Sequence, residues 1–101
     1  MKTKIIADIT TYPVSEGTSL SKYIKRAIEE INKYPDIRLI HHPMGTVIEA
    51  DTLDQVFEVT RLAHEAIIRA GALRIITQVR IDDRRDKPRK MEDKLATVLD
   101  F

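Results

Sequence analysis

Two strand–helix–strand patterns follow one another along this chain, and few folds can hold both within 101 residues. The first starts with a β-branched run over residues 4–12 and passes into apolar residues at helical spacing over 20–33. It ends in a short β-like run over 37–42, just before a Pro-Met-Gly turn. We therefore predict a strand, a helix and a second strand that is joined to the next by a tight antiparallel connection.

The second pattern starts with β-like residues at 46–50 and enters a helix that Thr52 and Gln55 open with capping-box spacing. Gly71 is predicted to stop this helix, whose apolar stripe comprises Leu53, Val56, Phe57, Ala63, Ile67 and Ala70. A fourth strand is predicted over 73–82. A short terminal helix follows, with a narrow apolar stripe formed by Met91, Leu95, Val98 and Leu99.

This βαββαβ order predicts one α+β domain over residues 1–101, a ferredoxin-like sandwich with an extra C-terminal helix. Right-handed crossovers make the first and third strands central in a four-stranded antiparallel sheet with two helices on one face. Alternation leaves the other face open, and it carries Ile6, Asp8, Thr10, Ile40, Val47, Glu49, Ile76 and Gln78. Such a half-apolar face usually meets another sheet, so we predict a homotetramer, a dimer of dimers, that assembles through it.

Composition excludes several classes of function. The chain has no cysteine, hence no disulfide framework and no thiolate metal site, and this suits a reducing cytoplasm. A net charge of +1 provides no general basic field for nucleic acid. No apolar run is long enough for a membrane span or a signal peptide. We expect a cytoplasmic protein without nucleic-acid or membrane partners. Its many charges and few amides point to a thermophilic source.

The segment RIDDRRDKPRK, residues 80–90, holds six basic and three acidic residues. It is either a patch that grips a phosphate backbone or a solvated or inter-subunit charge network. Its arginines alternate with aspartates, and it has no aromatic residue on which a base could stack. These features favour the charge network and predict that the segment does not bind DNA or RNA.

His64 is the most informative single residue, because the helical wheel places it within the apolar stripe, facing the sheet. One interpretation is a core histidine bonded to a backbone carbonyl or a neighbouring hydroxyl. The other is a polar group that lines a ligand cavity between helix and sheet. The sequence leaves both open.

No metal site and no catalytic group of residues is predicted. His41 and His42 are adjacent on a strand and should point to opposite faces, so they cannot chelate one ion together. Asp82, Asp83 and Asp86 lack the glycine and the distal glutamate of a calcium-binding loop. The three glycines are too far apart to form a phosphate-binding loop.

Three segments together resemble the UPF0045 family of small thiamine-binding proteins, also called the MTH1187/YkoF-like group. They are HHPMGTVIEA in the hairpin, LAHEAIIRAGALRI around the end of the second helix, and TQVRIDDRRD after it. GTSLSKYI at the first helix and KMEDKLATVL at the last also fit the family pattern. The combination of MGTVIE with IDDRR is the specific part of the resemblance.

The resemblance implies the same domain, assembled as dimers and tetramers, that binds thiamine or its hydroxymethylpyrimidine moiety without turnover and needs no cofactor. The ligand-binding residues that it implies are Ser19, Thr46, Glu49, His64 and Thr77. Their chemistry is suitable, since an aminopyrimidine needs hydrogen-bond donors and acceptors and a thiazolium cation favours a carboxylate or an aromatic face. His41 and His42 depart from the smaller or apolar residues that the family pattern has before this proline.

The predicted function is thus that of an oligomeric carrier or sensor of this vitamin. Two alternatives stay open. One is a regulatory or structural oligomer whose ligand is another protein. The other is an enzyme that uses His64 as a general base, since one fold can host many chemistries.

Overall fold

The computed structural model describes residues 3–14, 17 and 20–99 and has the predicted order of elements. The strands are β1 (Ile5–Pro13), β2 (Arg38–His42), β3 (Gly45–Ala50) and β4 (Ile75–Asp83), and the helices are α1 (Ser21–Ile31), α2 (Leu53–Arg69) and α3 (Met91–Leu99). The predicted α+β class, with a four-stranded antiparallel sheet, is confirmed. Within the described ranges, no helix combines the length and the apolar character that crossing a membrane requires.

The strands lie in the order β2-β3-β1-β4, so the first and third strands are central, as predicted. β1 is longer than its neighbour β3. It pairs with β4 as far as Pro13, opposite Ile75, but its pairing with β3 ends where Ile9 meets Thr46. The last residues of β1 therefore have a partner strand on one side only.

Alternation along the strands divides the sheet into two faces. The inner face packs against α1 and α2, and its core residues are Ile5, Ala7 and Ile9 of β1 with Ile48 and Ala50 of β3. The helices contribute Tyr23, Ala27, Ile31, Val56, Val59, Ala63 and Ile67 to the same core. α2 starts at the predicted capping box, in which Thr52 and Gln55 bond to each other's backbone.

The predicted apolar stripe of α2 was wrong at two positions. Leu53 is 37% exposed and Phe57 is 53% exposed, whereas Val59, which was not predicted, is fully buried. Leu53 and Phe57 share a row of the helix with His64, which reaches Thr77 on the edge strand β4. This flank of the helix lies at the border of a four-stranded sheet, where no further strand covers it.

α3 packs on the outer face of the sheet, opposite α1 and α2. The backbone amide of Met91, its first residue, donates to Glu49 Oε2 over 2.8 Å. Lys94 forms an ion pair with Asp82 of β4, one turn further along. Met91 and Ile6 are both buried, so one end of the predicted open face is covered by the chain's own helix. The side chains of Val98 and Leu99 lie outside the described residues.

Candidate functional site

A cleft of about 610 Å³ opens where β1 extends beyond the end of its pairing with β3. The tip of the β2–β3 hairpin forms one side and α1 the other, while the end of β1 forms the floor. Gly45 allows the hairpin to approach β1 closely, because a Cβ at this position would lie 2.6 Å from the Ile9 carbonyl oxygen. The volume is within the range of small-molecule sites, roughly 300–1,000 Å³.

The helical side of the cleft is apolar, and the strand and hairpin side is mainly polar. Ile24, Ala27, Ile28 and Ile31 line it from α1, and Ala63 lines it from α2. The polar side chains that border it are Asp8, Thr10, Thr11, Tyr12, His41, His42, Thr46 and Gln78. An apolar slot with convergent hydroxyls and imidazoles is suited to a flat heteroaromatic ring. A depression between α1 and α2 has a mainly charged border, with Lys22, Arg26, Glu30 and Arg69. A depression on the outer face is bordered by Thr10, Thr77 and Gln78 together with Asp8 and Arg80.

Thr46 is a buried polar residue in the wall of the cleft. Its hydroxyl is 2.9 Å from His41 Nδ1, and His41 Nε2 is 2.9 Å from the side-chain oxygen of Asn32. The amide oxygen can only accept, so His41 Nε2 carries a hydrogen. In the neutral imidazole Nδ1 is then an acceptor, and the Thr46 hydroxyl donates to it. The lone pairs of Thr46 Oγ1 remain as acceptors for a ligand.

His64 and Thr77 come together behind the floor of the cleft. His64 Nδ1 is 2.6 Å from Thr77 Oγ1, and Thr77 Oγ1 is 2.6 Å from Thr11 Oγ1. Thr11 borders the cleft, whereas half-buried His64 reaches it through the two hydroxyls. The prediction that His64 faces the sheet is thus confirmed, and its bonded neighbour is a hydroxyl.

Glu49 lies away from these residues, on the outer face. Its side chain is only 5% exposed and bonds to the amide of Met91 and to Arg38. The structure therefore brings Thr46, Thr77 and His64 to one region and leaves Glu49 as an anchor of α3. Ser19, the fifth residue implied by the resemblance, lies outside the described residues.

Thr11 is a candidate binding residue that the sequence analysis missed. It continues the inward alternation of Ile5, Ala7 and Ile9 along β1. A hydroxyl at the next inward position was the available signal, because polar residues on a core-facing strand need a hydrogen-bond partner. Thr77, opposite it on β4, supplies that partner.

His41 and His42 point to opposite faces, as predicted. His41 bonds to Thr46 on the inner face, and His42 Nε2 is 3.3 Å from Asp8 Oδ1 on the outer face. The amide of Met44 donates to His42 Nδ1, so the Nε2–H of the neutral ring faces Asp8. Among the residues that the structure describes, no group of three or more His, Cys, Asp or Glu side chains could hold a metal ion.

The charges of the segment 80–90 compensate one another. Arg84 bonds to Asp86 through two nitrogens, and Arg85 bonds to Asp83 in the same way. The Arg84 guanidinium lowers the pKa of the Asp86 carboxyl from its ordinary value. Arg80 lies 3.8 Å from Asp8. This network has the form that the sequence analysis favoured, and the absence of nucleic-acid binding stays a prediction.

Comparison with known proteins gives one consistent result. A family model described as "Thiamine-binding protein" matches residues 7–99. A UPF0045 protein of Methanothermobacter thermautotrophicus is 41% identical over 93% of this chain and 95% of its own length. A UPF0045 protein of Methanocaldococcus jannaschii is 36% identical over 94% of this chain and 92% of its own.

Solved structures show the same fold. A hypothetical protein of Methanocaldococcus jannaschii superposes with a TM-score of 0.86 and 34% identity, with full coverage of both chains. A protein of Thermotoga maritima, whose name proposes a part in thiamine biosynthesis or salvage, superposes with a TM-score of 0.76 over 94% of this chain and 98% of that one. At 22% identity the second likeness concerns the fold alone.

Proposed function

The chain belongs to the UPF0045 family of thiamine-binding proteins, and from this membership we propose that it binds thiamine or its hydroxymethylpyrimidine moiety in the cleft between α1 and the end of β1. The observation that carries the proposal is the cleft itself. It joins an apolar wall of α1 to the hydroxyls of Thr11 and Thr46, and both hydroxyls are held by further hydrogen bonds.

The two rings of thiamine find different surroundings in this arrangement. The aminopyrimidine carries an exocyclic amine, whose N–H donors suit the lone pairs of the Thr46 and Thr11 oxygens. The thiazolium is a cation, and Asp8 and Tyr12 at the border of the cleft offer it a carboxylate and an aromatic face. In this proposal Asp8, at the border of the cleft, supplies the carboxylate in place of Glu49, because the Glu49 carboxylate already bonds to the first amide of α3 and to Arg38.

The proposed role is that of a carrier or sensor without turnover. His64, the residue on which an enzymatic alternative would depend, has Thr77 as its hydrogen-bond partner, and no acidic side chain orients the ring among the bonds of the described residues. A general base that activates a nucleophile is normally oriented by a third group. The polar network around the cleft supports recognition of a ligand.

Isothermal titration calorimetry with thiamine, its phosphates and hydroxymethylpyrimidine tests the proposal. Thr46→Val removes a hydroxyl from the wall at nearly constant volume and should weaken binding about tenfold, the equivalent of one hydrogen bond of ~1.4 kcal/mol. Thr60→Val is the matched control, because the Thr60 hydroxyl bonds to the Val56 carbonyl within α2 and does not border the cleft. Failure of the unaltered protein to bind any of these compounds would refute the proposal.

We also propose that the protein assembles as a dimer of dimers. The outer sheet face keeps Ile40 exposed beyond the area that α3 covers, and this part of the face is the surface predicted to meet a second copy. A second apolar surface lies on the free flank of α2, formed by Leu53, Phe57 and Ile68 beside the edge strand β4. Two separate self-associating surfaces are what a dimer of dimers needs.

A further inference from the structure

Three side chains from three elements form a continuous hydrogen-bonded path that ends at the cleft. His64 of α2 bonds to Thr77 of β4 over 2.6 Å, and Thr77 bonds to Thr11 of β1 over 2.6 Å. Thr11 borders the cleft and His64 does not. An imidazole is therefore connected to a ligand-facing hydroxyl through one intervening hydroxyl.

The number of hydrogens restricts how this path can be arranged. Each of the two contacts contains one hydrogen, and each threonine hydroxyl owns only one. When His64 Nδ1 accepts, Thr77 must donate to it, so Thr77 can only accept from Thr11. The Thr11 hydrogen is then used inside the path, and Thr11 presents an acceptor to the cleft.

The opposite arrangement follows when His64 Nδ1 carries a hydrogen. The imidazole donates to Thr77, Thr77 donates to Thr11, and the Thr11 hydrogen is free to point into the cleft. A neutral imidazole can adopt either tautomer, so Thr11 can accept from a ligand. An imidazolium has hydrogens on both nitrogens and allows only the second arrangement.

We propose that Thr11 is a ligand contact whose hydrogen-bonding polarity is set by the protonation of His64 through Thr77. The inference rests on the proposed function and adds the chemical class of ligand group that this position selects. Neutral His64 lets Thr11 accept from an N–H group such as the exocyclic amine of an aminopyrimidine. Through Thr77, protonated His64 occupies one of the two Thr11 lone pairs and leaves the Thr11 hydrogen to compete for the ligand-facing position, so a ligand that presents an amine there binds less well in acid.

The charged side chains around His64 are paired with one another or border a separate groove. The inner face of β1 presents no charged side chain; its residues there are Ile5, Ala7, Ile9, Thr11 and Pro13. The charged inner residue of β4 is Asp83, which is six positions from Thr77 and paired with Arg85. On α2, Arg61 and Glu65 are its charged neighbours and are paired with each other. Lys22 and Arg26 of α1 border the separate groove between the helices. His41, bonded to Thr46, is the other histidine that faces the inner part of the cleft. Protonation of His41 is also expected to weaken the binding of an amine ligand in acid.

Calorimetry with hydroxymethylpyrimidine at pH 8 and pH 5.5 tests the inference. The unaltered protein should lose about fivefold in affinity on acidification beyond the loss that the ligand's own titration causes, as expected for one hydrogen bond of ~1 kcal/mol. Thr77→Val interrupts the hydrogen-bonded path but leaves the His64 imidazole in place. It should remove most of this extra loss of affinity. Thr77→Ser retains the hydroxyl and should restore it. Thr60→Val, outside the path, should behave as the unaltered protein does.

These variants distinguish an effect of the hydrogen-bonded path from a simple repulsion between charges. Repulsion between an imidazolium and a thiazolium needs only the two charges, so it would survive Thr77→Val and would be absent for the pyrimidine alone. His64→Asn, which cannot titrate, is the second variant should Thr77→Val fail to fold, and it too should lose most of the extra pH dependence. An equal acid loss in the unaltered protein, Thr77→Val and His64→Asn overturns the inference and leaves the proposed function intact. Absence of binding by the unaltered protein at both pH values overturns both.

Discussion

The backbone amide of Met91 donates a 2.8 Å hydrogen bond to the buried carboxylate of Glu49 and so fastens the start of α3 to the outer face of the sheet. Glu49 also accepts from Arg38, which in turn bonds to Glu92 in the first turn of α3. A carboxylate at a helix N-terminus satisfies a free amide and interacts favourably with the helix dipole. This relationship connects the middle of the chain to its last element.

Replacing Glu49 should therefore affect stability and leave ligand affinity unchanged. Glu49→Ala leaves the buried Met91 amide without its acceptor, and should lower the free energy of unfolding by about 1–3 kcal/mol. Urea denaturation measures this change. Glu29→Ala, at an exposed position of α1, is the control and should have little effect. A clear loss of thiamine affinity in folded Glu49→Ala would return this residue to the ligand site.

The ion pair between Arg38 and Glu92 predicts a pH dependence with a definite sign. The hydrogen bond from Arg38 lowers the pKa of Glu92 below its ordinary value of 4.5. A carboxyl whose pKa is lower in the folded state stabilises the fold above the unfolded pKa, and this contribution is lost as the pH falls through the folded value. The melting temperature of the unaltered protein should exceed that of Glu92→Gln near pH 7, and the two should converge below pH 4.5. Glu29→Gln should show no such convergence.

Gly45 is predicted to be sensitive even to alanine. Its φ of +156° is one that side chains rarely adopt, and a Cβ would meet the Ile9 carbonyl oxygen at 2.6 Å. Gly45→Ala should lower the free energy of unfolding by about 2 kcal/mol or more, because the hairpin must move away from β1. Gly71→Ala has a positive φ but no atom within 4 Å of the new Cβ, so the difference between the two variants isolates the collision. Equal losses would show that backbone strain alone is responsible.

Self-association should be sensitive to a charge on either of the two proposed surfaces. Phe57→Glu on the flank of α2, or Ile40→Glu on the outer sheet face, should each reduce the tetramer to a dimer in sedimentation velocity, since an interface core rarely accepts an unpaired charge. Lys25→Glu, an exposed change on α1, is the control for altered net charge. A monomer in the unaltered protein at micromolar concentration would contradict the assembly as a whole.

The segment 80–90 is expected to show no useful affinity for DNA or RNA. Arg84 and Arg85 already bond to neighbouring aspartates, which reduces the number of cations that can displace counterions from a phosphate backbone. Fluorescence anisotropy with labelled oligonucleotides should detect at most weak binding at low salt that disappears at physiological salt. Asp83→Asn and Asp86→Asn together free two arginines and should strengthen this weak binding. A tight complex of the unaltered protein at physiological salt would reverse the interpretation.

Local patterns predicted much of this protein. The alternation of β1 and β3 assigned side chains to the two faces of the sheet, and it placed Glu49 on the outer face, where the structure has it. The spacing of Thr52 and Gln55 predicted the start of α2, and the adjacency of His41 and His42 predicted their opposite directions. These features depend on backbone geometry over a few residues, with a period of two in a strand and 3.6 in a helix.

The cleft and its polar path were decided by the tertiary structure. Thr11 and Thr77 are 66 positions apart and meet only because β1 and β4 pair in one register, and the cleft exists because β1 continues beyond its pairing with β3. The exposure of Leu53 and Phe57 likewise depends on where the sheet ends beneath α2. Periodicity within one segment determines which way a side chain points. The register between distant segments, which that periodicity does not contain, determines what the side chain meets.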